Sequence, residues 1–237
     1  VLAGVEEAAR VLGKTGAHVV WSRRSGERLA VGEPFLRAEG AAAALHMAWK
    51  VSLNLCDHLS GVATKTRAIV DAAHSGNPAC EVLTTRKSMP GVKDLLTKAV
   101  TCGGAFPHRL GASETVLVFD HHITFMGGFE AFLEALPALR CRCVEKKLFV
   151  EAGPEEARRL AEAGVDGIQL DKLPVDDLAA LVPELRAIDP HLTLIAAGGI
   201  NLQNAAAYAA CGVDGLATTA PFTAKPIDMS VRMKRAE

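Results

Sequence analysis

Short apolar runs alternate with amphipathic segments over most of the chain, and this alternation restricts the fold more than any other feature. The apolar runs, rich in Val, Ile, Leu and Thr, lie at residues 80–85, 114–119, 147–151, 166–170, 192–197 and 213–219. The amphipathic segments lie at residues 91–102, 129–139, 154–163, 174–187 and 201–211. Strands and helices in alternation predict parallel strands with the helices outside, in a (β/α) barrel or in an open doubly wound sheet.

Polar or glycine residues follow nearly every predicted strand. In chain order they are Arg86-Lys87, Asp120-His121-His122, Glu151, Asp171, Gly198-Gly199 and Thr218-Thr219. In a barrel, the carboxyl ends of all strands meet on one face, where active sites are built from the loops. A doubly wound sheet uses mainly the strand ends near one switch point. The sequence therefore favours an α/β fold with a TIM-like (β/α) barrel.

The first part of the chain has a different pattern. Residues 19–21 and 36–38 are predicted strands, and a helical pattern from residue 41 to about residue 74 is interrupted at Gly61, where we expect a bend or a break. These features predict a small α+β domain at residues 1–62, followed by the barrel at residues 63–222. Because the chain starts with Val1 inside a helical pattern, we expect upstream residues to be missing. The alternating residues 228–233 predict that a tail, residues 223–237, returns to the first domain as a strand.

Charge and composition argue against several classes of partner. The formal net charge is -1, without the basic excess typical of nucleic-acid-binding proteins. No apolar run approaches the length needed to cross a bilayer, so we expect no membrane partner. The six cysteines form no Cys-x-x-Cys pair. Although Cys141-Arg142-Cys143 is open to a metal or redox interpretation, we expect free thiols in a reducing cytoplasm.

Two basic pairs, Arg86-Lys87 and His108-Arg109, lie on either side of the predicted helix at residues 91–102. Arginine offers a planar fork for a carboxylate or a phosphate, and lysine offers a compact charge. The clustering suggests a site for a small anion. The alternative is ordinary surface charge on two loops.

Two further motifs suggest a phosphate and a metal. Gly198-Gly199 joins a predicted strand to a helix, where backbone amides favour phosphate, and Thr218-Thr219 ends the neighbouring strand. The alternative for the glycines is a tight turn. Glu151 and Asp171 end what should be adjacent strands, where they can share Mg²⁺ or else pair with Lys172 or Lys147. We interpret His121 and His122 as loop residues, since neighbours on a strand point to opposite faces.

Four blocks of this sequence resemble the quinolinate phosphoribosyltransferase family. They are Thr85-Arg86-Lys87 with Pro90-Gly91, Gly103-Gly104 with His108-Arg109-Leu110-Gly111, Asn54-Leu55 with His58-Leu59-Ser60-Gly61, and Gly198-Gly199-Ile200-Asn201. The chain is more similar to the sister group ModD, which is associated with molybdenum transport genes. The marks of that group are Leu45-His46 with Trp49-Lys50, Pro107-His108-Arg109, Ser113-Glu114-Thr115, Leu170-Asp171-Lys172 and Ala220-Pro221-Phe222.

The resemblance implies a fold, a reaction and an assembly. The family combines an α/β sandwich, whose first segment is not in this chain, with an incomplete seven-stranded α/β barrel. It uses Mg²⁺ to transfer phosphoribose from phosphoribosyl pyrophosphate to the ring nitrogen of a pyridine diacid, after which CO₂ leaves. It works as a homodimer or a larger assembly in which partners share active sites.

The resemblance also assigns roles to residues of this chain. It implies that the acid and the pyrophosphate are bound by Arg86, Lys87, His108 and Arg109, with Lys87, Glu151 and Asp171 as catalytic residues. Glu151 and Asp171 would hold the metal, and Gly198 and Gly199, with Thr218 and Thr219, would bind phosphate. Three departures affect anion recognition: Lys50 stands where a partner subunit contributes arginine, Phe119 where the family has lysine, and Ala197 where it has serine.

We therefore expect a ModD-type pentosyltransferase that acts on a small aromatic acid, with Lys50 and Phe119 helping to select that acid. Three alternatives remain open. One is a true quinolinate phosphoribosyltransferase of NAD biosynthesis. Another is a different phosphate-binding barrel, such as a cofactor synthase, which shares the glycine pair but not Thr85-Arg86-Lys87. The third is a non-catalytic anion- or nucleotide-binding protein linked to molybdenum transport.

Overall fold

The computed structural model describes residues 1–111 and 114–235. It contains two compact units that interleave along the chain. The first unit is formed by Val1–Val70, Lys87–Phe106 and Ala220–Glu237, and the second by Asp71–Arg86 and Pro107–Thr219. The division into domains at residues 62 and 222 stays a prediction. Ser113 of the family motif and the last two residues of the predicted tail lie outside the described residues.

The helices are α1 (Val5–Lys14), α2 (Ala42–Gly76), α3 (Lys93–Cys102), α4 (Asp120–Phe125), α5 (Phe129–Arg142), α6 (Pro154–Glu162), α7 (Val175–Ile188) and α8 (Ala205–Ala210). The strands are β1 (His18–Ser22), β2 (Leu36–Glu39), β3 (Glu81–Thr84), β4 (Phe106–Pro107), β5 (Val116–Val118), β6 (Leu148–Ala152), β7 (Gly167–Asp171), β8 (Thr193–Ala197) and β9 (Gly215–Thr218). A short 3₁₀ turn covers Ala220–Thr223. No helix among the described residues is long and apolar enough to cross a membrane.

The second unit is built on a parallel sheet that does not close. Its seven strands have the order β4-β3-β9-β8-β7-β6-β5. The pairs β3–β9, β9–β8, β8–β7, β7–β6 and β6–β5 are all parallel. Helices connect most successive strands, as the alternating sequence pattern requires. The predicted incomplete (β/α) barrel is confirmed.

The two faces of this sheet bury different side chains. One face, called the inner face here, carries an apolar cluster of Leu117, Phe149, Ile195, Ala197 and Ala217, with Leu83 and Phe119 packed against it. The opposite face carries Val150, Ile168, Leu194 and Leu216, all fully buried. The Phe149 ring packs against Gly167. A Cβ atom at position 167 would lie only 2.6 Å from that ring, so no larger residue fits. Strands buried on both faces explain the nearly continuous apolar runs in the sequence.

A short repeat secures the amino ends of the strands. Gly-Val-Asp-Gly occurs at residues 164–167 and again at 212–215, and in each case its last glycine is the first residue of a strand. The Asp166 backbone N–H donates to the Leu148 carbonyl, and its carboxylate accepts the Leu148 N–H at 2.7 Å. Asp214 makes the same pair of bonds with Leu194. Each aspartate thus ties its own strand to a neighbour.

The first unit packs helices against a two-stranded antiparallel sheet of β1 and β2. Both of these strands match the sequence prediction. Leu12, Ala17 and Ala48 are buried together there. Lys98 on α3 lies 2.8 Å from both Glu6 and Glu7 on α1. Burial alone would raise the pKa of Glu6, but hydrogen bonds from Lys98 and Ser25 outweigh it and lower the pKa to about 2.

Two expectations about this unit are wrong, and one segment explains both. Helix α2 continues through Gly61 without a break. Glycine is required there because a Cβ would overlap the Lys225 carbonyl oxygen. The residues predicted as a C-terminal strand, 228–233, form none in the described part of the tail. The tail instead lies on α2, where the Ile227 and Met229 N–H groups donate to the Asp57 carbonyl and carboxylate at 2.9 and 3.1 Å.

Candidate active site

Polar side chains replace the apolar cluster at the carboxyl end of the inner face. Glu151 on β6 is in register with Gln169 on β7, and Asp171 lies two residues further along β7. Because side chains alternate along a strand, Glu151, Gln169 and Asp171 share the face that carries Phe149 and Ile195. The strand pairing therefore brings together the two carboxylates predicted from the sequence and adds an amide that was not predicted.

Gln169 connects two of the predicted site residues. Its carbonyl oxygen lies 2.7 Å from His108 Nε2, and its amide nitrogen donates to Glu151 Oε2. The Gln169 side chain is buried, whereas His108 and Glu151 are half-buried. His108 is itself placed by its backbone N–H, which donates to the Thr84 carbonyl at 2.8 Å. A chain of side-chain hydrogen bonds thus links His108 with Glu151.

Asp171 pairs with the next residue in the chain. Lys172 Nζ lies 2.6 Å from Asp171 Oδ2, which is the ion pair considered as an alternative to a metal. The hydrogen bond to Asp171 raises the pKa of Lys172. The backbone at Lys172 is left-handed, with φ of 57°, and its N–H donates to the Ala197 carbonyl at 2.8 Å. The Lys172 side chain is 78% exposed, so it can leave Asp171 when a competing cation arrives.

The donor set at this end of the sheet suits Mg²⁺ bound together with a phosphorylated substrate. Among the described residues, no group of three or more His, Cys, Asp or Glu side chains could hold a metal. Mg²⁺ needs no such cage, because it commonly takes one or two carboxylates and completes its shell with water and substrate phosphates. Glu151 and Asp171, on neighbouring strands and on one face, match that requirement.

The glycine pair after β8 lies against Asp171. Gly198 has φ of +85°, and a Cβ there would lie 2.7 Å from Lys172 N and 2.8 Å from Asp171 Oδ1. Nothing lies within 4 Å of the position where Gly199 would carry a Cβ. The Asn201 and Asn204 side chains both donate to the Gly199 carbonyl, at 3.0 and 3.1 Å. The turn is therefore held in place and open on one side.

The two predicted phosphate threonines differ in burial. The Thr218 side chain is buried, and its hydroxyl donates to the Ile200 carbonyl at 2.6 Å. Thr219 directly follows the end of β9 and is half-buried. The Thr218 hydroxyl thus holds the glycine turn, and the phosphate role of Thr219 stays a prediction.

Arg86, Arg109 and Phe119 form a second part of the site. Burial and the charge of Arg86 lower the pKa of Arg109, while Glu114 acts in the opposite direction. The Arg109 guanidinium carbon lies 5.7 Å from the centroid of the Phe119 ring. Within the described residues, no carboxylate reaches ion-pair distance of either guanidinium. Two neighbouring cations with no described carboxylate at ion-pair distance are suited to an anionic ligand, although the charge of Glu114 partly offsets that of Arg109.

His121 and His122 differ from the loop that the sequence predicted. They lie in the first turn of α4, where the Phe119 N–H donates to His122 Nδ1 at 3.0 Å and so begins the helix. Their ring centroids are 4.0 Å apart, and His121 is stacked on Phe119 at 5.5 Å. Burial, His121 and Arg109 together lower the pKa of His122. The helix was missed because this side-chain cap has no signature in the sequence.

Two predicted site residues belong to the first unit. Lys50 is an exposed residue of α2, with its ammonium 5.4 Å from the centroid of the Trp49 ring. Lys87 is exposed in the segment that follows β3. The other predicted site residues lie in the second unit, and the roles of all of them stay predictions.

Comparison with known proteins identifies the family. The model named "Quinolinate phosphoribosyl transferase, N-terminal domain" matches residues 1–60, and the one for the C-terminal domain matches residues 62–232. A Rhodobacter capsulatus protein named as a ModD pyrophosphorylase is 44% identical over 202 residues, which cover 85% of this chain and 77% of that protein. The carboxylating nicotinate-nucleotide pyrophosphorylase of Mycobacterium leprae is 37% identical over 93% of this chain and 78% of its own.

A solved structure agrees with these matches. The nicotinate-nucleotide pyrophosphorylase from Francisella tularensis superposes with a TM-score of 0.86 at 26% identity, over 97% of this chain and 80% of that one. Both domain models, the curated relatives and the fold point to one family and to one class of enzyme, the pentosyltransferases. The chain belongs to the quinolinate phosphoribosyltransferase family and is similar to its ModD members.

Proposed function

We propose that this protein transfers phosphoribose from phosphoribosyl pyrophosphate to a ring nitrogen of a small aromatic acid, with Mg²⁺. One observation carries the proposal. Arg109 is held half-buried beside Arg86 and against the Phe119 ring, with no carboxylate in ion-pair distance among the described residues. An aromatic anion satisfies both features, because its ring can stack on Phe119 while its acid group pairs with the guanidiniums.

The residues around this position have separable roles. Asp171 and Glu151 would hold Mg²⁺, which neutralises the pyrophosphate as it leaves. The turn at Gly198 and Gly199, with Thr219, would receive the ribose phosphate. A carboxylate on the inner face would stabilise the cationic sugar as the bond to pyrophosphate breaks. The protein thus acts by orientation and by electrostatic stabilisation, without a covalent intermediate.

We propose that the preferred acid carries less charge than quinolinate. Quinolinate has two carboxylates, and burying them requires paired charges. Phe119 provides a ring instead of the family's lysine, and Lys50 replaces a bidentate guanidinium with a single point charge. The ring of Phe119 stacks on His121, so a flat acceptor can extend an existing stack.

We propose that the active form is a cytoplasmic homodimer or a larger homo-oligomer. Around Lys50, helix α2 exposes Met47 and Val51, which are 71% and 53% exposed. Residues 47, 50 and 51 lie on one face of the helix, and exposed apolar side chains there favour burial against another subunit. Sedimentation equilibrium should therefore give a dimer or a larger assembly, and a fully active monomer would contradict this.

The function is tested by measuring pyrophosphate release from phosphoribosyl pyrophosphate with Mg²⁺ and a panel of acids. The panel should contain quinolinate, aromatic monocarboxylic acids and azoles. We expect turnover with at least one monoacid or azole, and loss of that turnover in Arg109→Met, which keeps the length of the side chain but removes its charge. Arg142→Met, at the end of α5, is the matched control and should keep full activity.

A true quinolinate phosphoribosyltransferase is the second candidate, and the 37% identity to the Mycobacterium leprae enzyme favours it. The same panel separates the two. If quinolinate is turned over better than every other acid, the second candidate is correct. Tight binding of phosphoribosyl pyrophosphate with no turnover of any acid would instead support a non-catalytic anion-binding protein.

A further inference from the structure

Gln169 is a buried polar side chain, next to the candidate site, that neither the sequence motifs nor the proposed reaction includes. It stands inside the apolar strand β7, between Ile168 and Leu170, and is 6% exposed. A buried amide that is left without hydrogen bonds destabilises a protein. Gln169 avoids this because each end of its amide contacts a site residue, His108 on one side and Glu151 on the other.

We propose that Gln169 is a positioning residue that fixes the tautomer of His108. A carboxylate can only accept hydrogen bonds, so the NH₂ end of Gln169 must face Glu151. The carbonyl end therefore faces His108 and can only accept. The 2.7 Å contact with His108 Nε2 then requires a hydrogen on that nitrogen. Glu151 thus dictates, through one amide, which imidazole nitrogen carries the proton.

This arrangement has a consequence for ligand binding. With its hydrogen on Nε2, a neutral His108 has Nδ1 as its remaining nitrogen, and that nitrogen accepts hydrogen bonds. His108 can donate through Nδ1 to the carboxylate of an acceptor only after it takes up a proton. The effect on ligands rests on the proposed function, whereas the tautomer does not.

The tautomer is measured directly by ¹⁵N NMR of the histidine-labelled protein without substrates. The His108 signal is assigned by its disappearance in His108→Gln. We expect the wild-type signal to show a proton on Nε2. A neutral His108 with its proton on Nδ1 in the wild-type protein would overturn the proposal, whatever the outcome of any activity assay.

Three variants test the role of the amide. Gln169→Met keeps the length of the side chain and removes both hydrogen bonds, so the tautomers should mix and kcat/KM for the acceptor should fall roughly tenfold to a hundredfold. Gln169→Glu keeps an acceptor that faces His108 but removes the donor to Glu151, so His108 Nε2 should still carry a proton. Ile195→Met, a change on the same face in register with Gln169, controls for packing and should leave the His108 signal unchanged. An unchanged His108 signal in Gln169→Met would refute the proposal.

Discussion

Two carboxylates at the amino end of the parallel sheet contact different groups from two carboxylates at its carboxyl end. At the amino end, Asp166 and Asp214 accept the backbone N–H groups of Leu148 and Leu194, both at 2.7 Å. At the carboxyl end, Glu151 accepts from the Gln169 side chain and Asp171 pairs with the Lys172 ammonium. A carboxylate tied to the backbone of a neighbouring strand holds the sheet together. Asp171 contacts a side chain that is 78% exposed, so it can exchange that contact for a ligand.

In this fold, the end of the strand at which a carboxylate lies, and not its residue type, decides whether it serves the candidate site or the stability of the sheet. Asp214 is further fixed by Arg186, whose guanidinium lies 2.8 and 2.7 Å from its two oxygens. Asp171 has a partner that is largely exposed to solvent. We therefore expect substitutions at the carboxyl end to change kinetics and those at the amino end to change the free energy of unfolding.

The largest expected effect concerns acceptor choice at the carboxyl end. The double variant Phe119→Lys, Lys50→Arg restores the charges that the family resemblance places at these positions. Each charged hydrogen bond contributes about 1.5–3 kcal/mol. Steady-state kinetics should show kcat/KM for quinolinate rising by roughly two to four powers of ten if both bonds form in the transition state.

The unfolding midpoint in denaturant is the control for that experiment. It should fall somewhat, because the Phe119 ring packs against the apolar cluster of the inner face, and a loss of stability cannot explain a gain in kcat/KM. Should the wild-type protein already use quinolinate as well as the double variant does, Phe119 and Lys50 do not set acceptor choice. The assignment to NAD biosynthesis would then follow.

A matched pair of glycine substitutions gives a smaller effect. Gly198 and Gly212 have nearly the same left-handed backbone, with φ of +85° and +86°. Alanine at either position should destabilise the fold by about 1–2 kcal/mol. Only at Gly198 would the new methyl group press on Lys172 and Asp171, whereas at Gly212 it would make an ordinary contact of 3.6 Å with Val182.

Gly198→Ala should therefore raise KM for phosphoribosyl pyrophosphate about tenfold or more, and Gly212→Ala should leave it unchanged. Chemical denaturation of both variants measures the shared loss of stability. Equal kinetic constants in the two variants would mean that the glycine turn does not bind the phosphate.

The smallest expected effect concerns the ion pair at Asp171. Lys172→Ala removes a cation that competes with Mg²⁺ for the carboxylate. Exposed ion pairs contribute about 0.2–1 kcal/mol, so the apparent affinity for Mg²⁺ should rise at most about fivefold. Titration of activity against Mg²⁺ measures this, with Lys147→Ala at the amino end of β6 as the control. A weaker affinity for Mg²⁺ in Lys172→Ala would show that the ammonium assists the metal.

Much of this fold could be predicted from the sequence. Alternating apolar and amphipathic segments predicted six of the seven strands of the parallel sheet, because strands buried on both faces leave continuous apolar runs. The two-residue β4 lies outside those runs. Strand-end positions alone indicated that Glu151, Asp171 and Gly198 are site residues, because the carboxyl ends of parallel strands lie at the same edge of the sheet. The clustering of basic residues added His108 and Arg109, which follow the short β4, and the family resemblance assigned roles to them.

The rest depends on contacts between residues distant in the sequence. Gln169 was missed because a single polar residue in an apolar run does not indicate a site residue. Only the structure shows that His108 and Glu151 lie at the two ends of its amide. Gly61 predicted a bend or a break in the helix. Glycine is needed there instead because the Lys225 backbone, far away in the sequence, packs against it. The tail alternates like a strand, but its amides bind Asp57 of a helix. The repeat at Asp166 and Asp214 was visible in the sequence, but its role required the sheet register.

The contrast between the two sheet ends is tested most directly by measuring kcat/KM and the free energy of unfolding on Asp171→Asn and Asp214→Asn. Asp171→Asn should lose activity by about a hundredfold or more while keeping its stability. Asp214→Asn should keep its kinetic constants and lose about 1–3 kcal/mol, because the Leu194 amide and Arg186 lose a charged acceptor. If both variants lose stability equally, or if Asp171→Asn retains full activity, the carboxyl end of the sheet is not the active site.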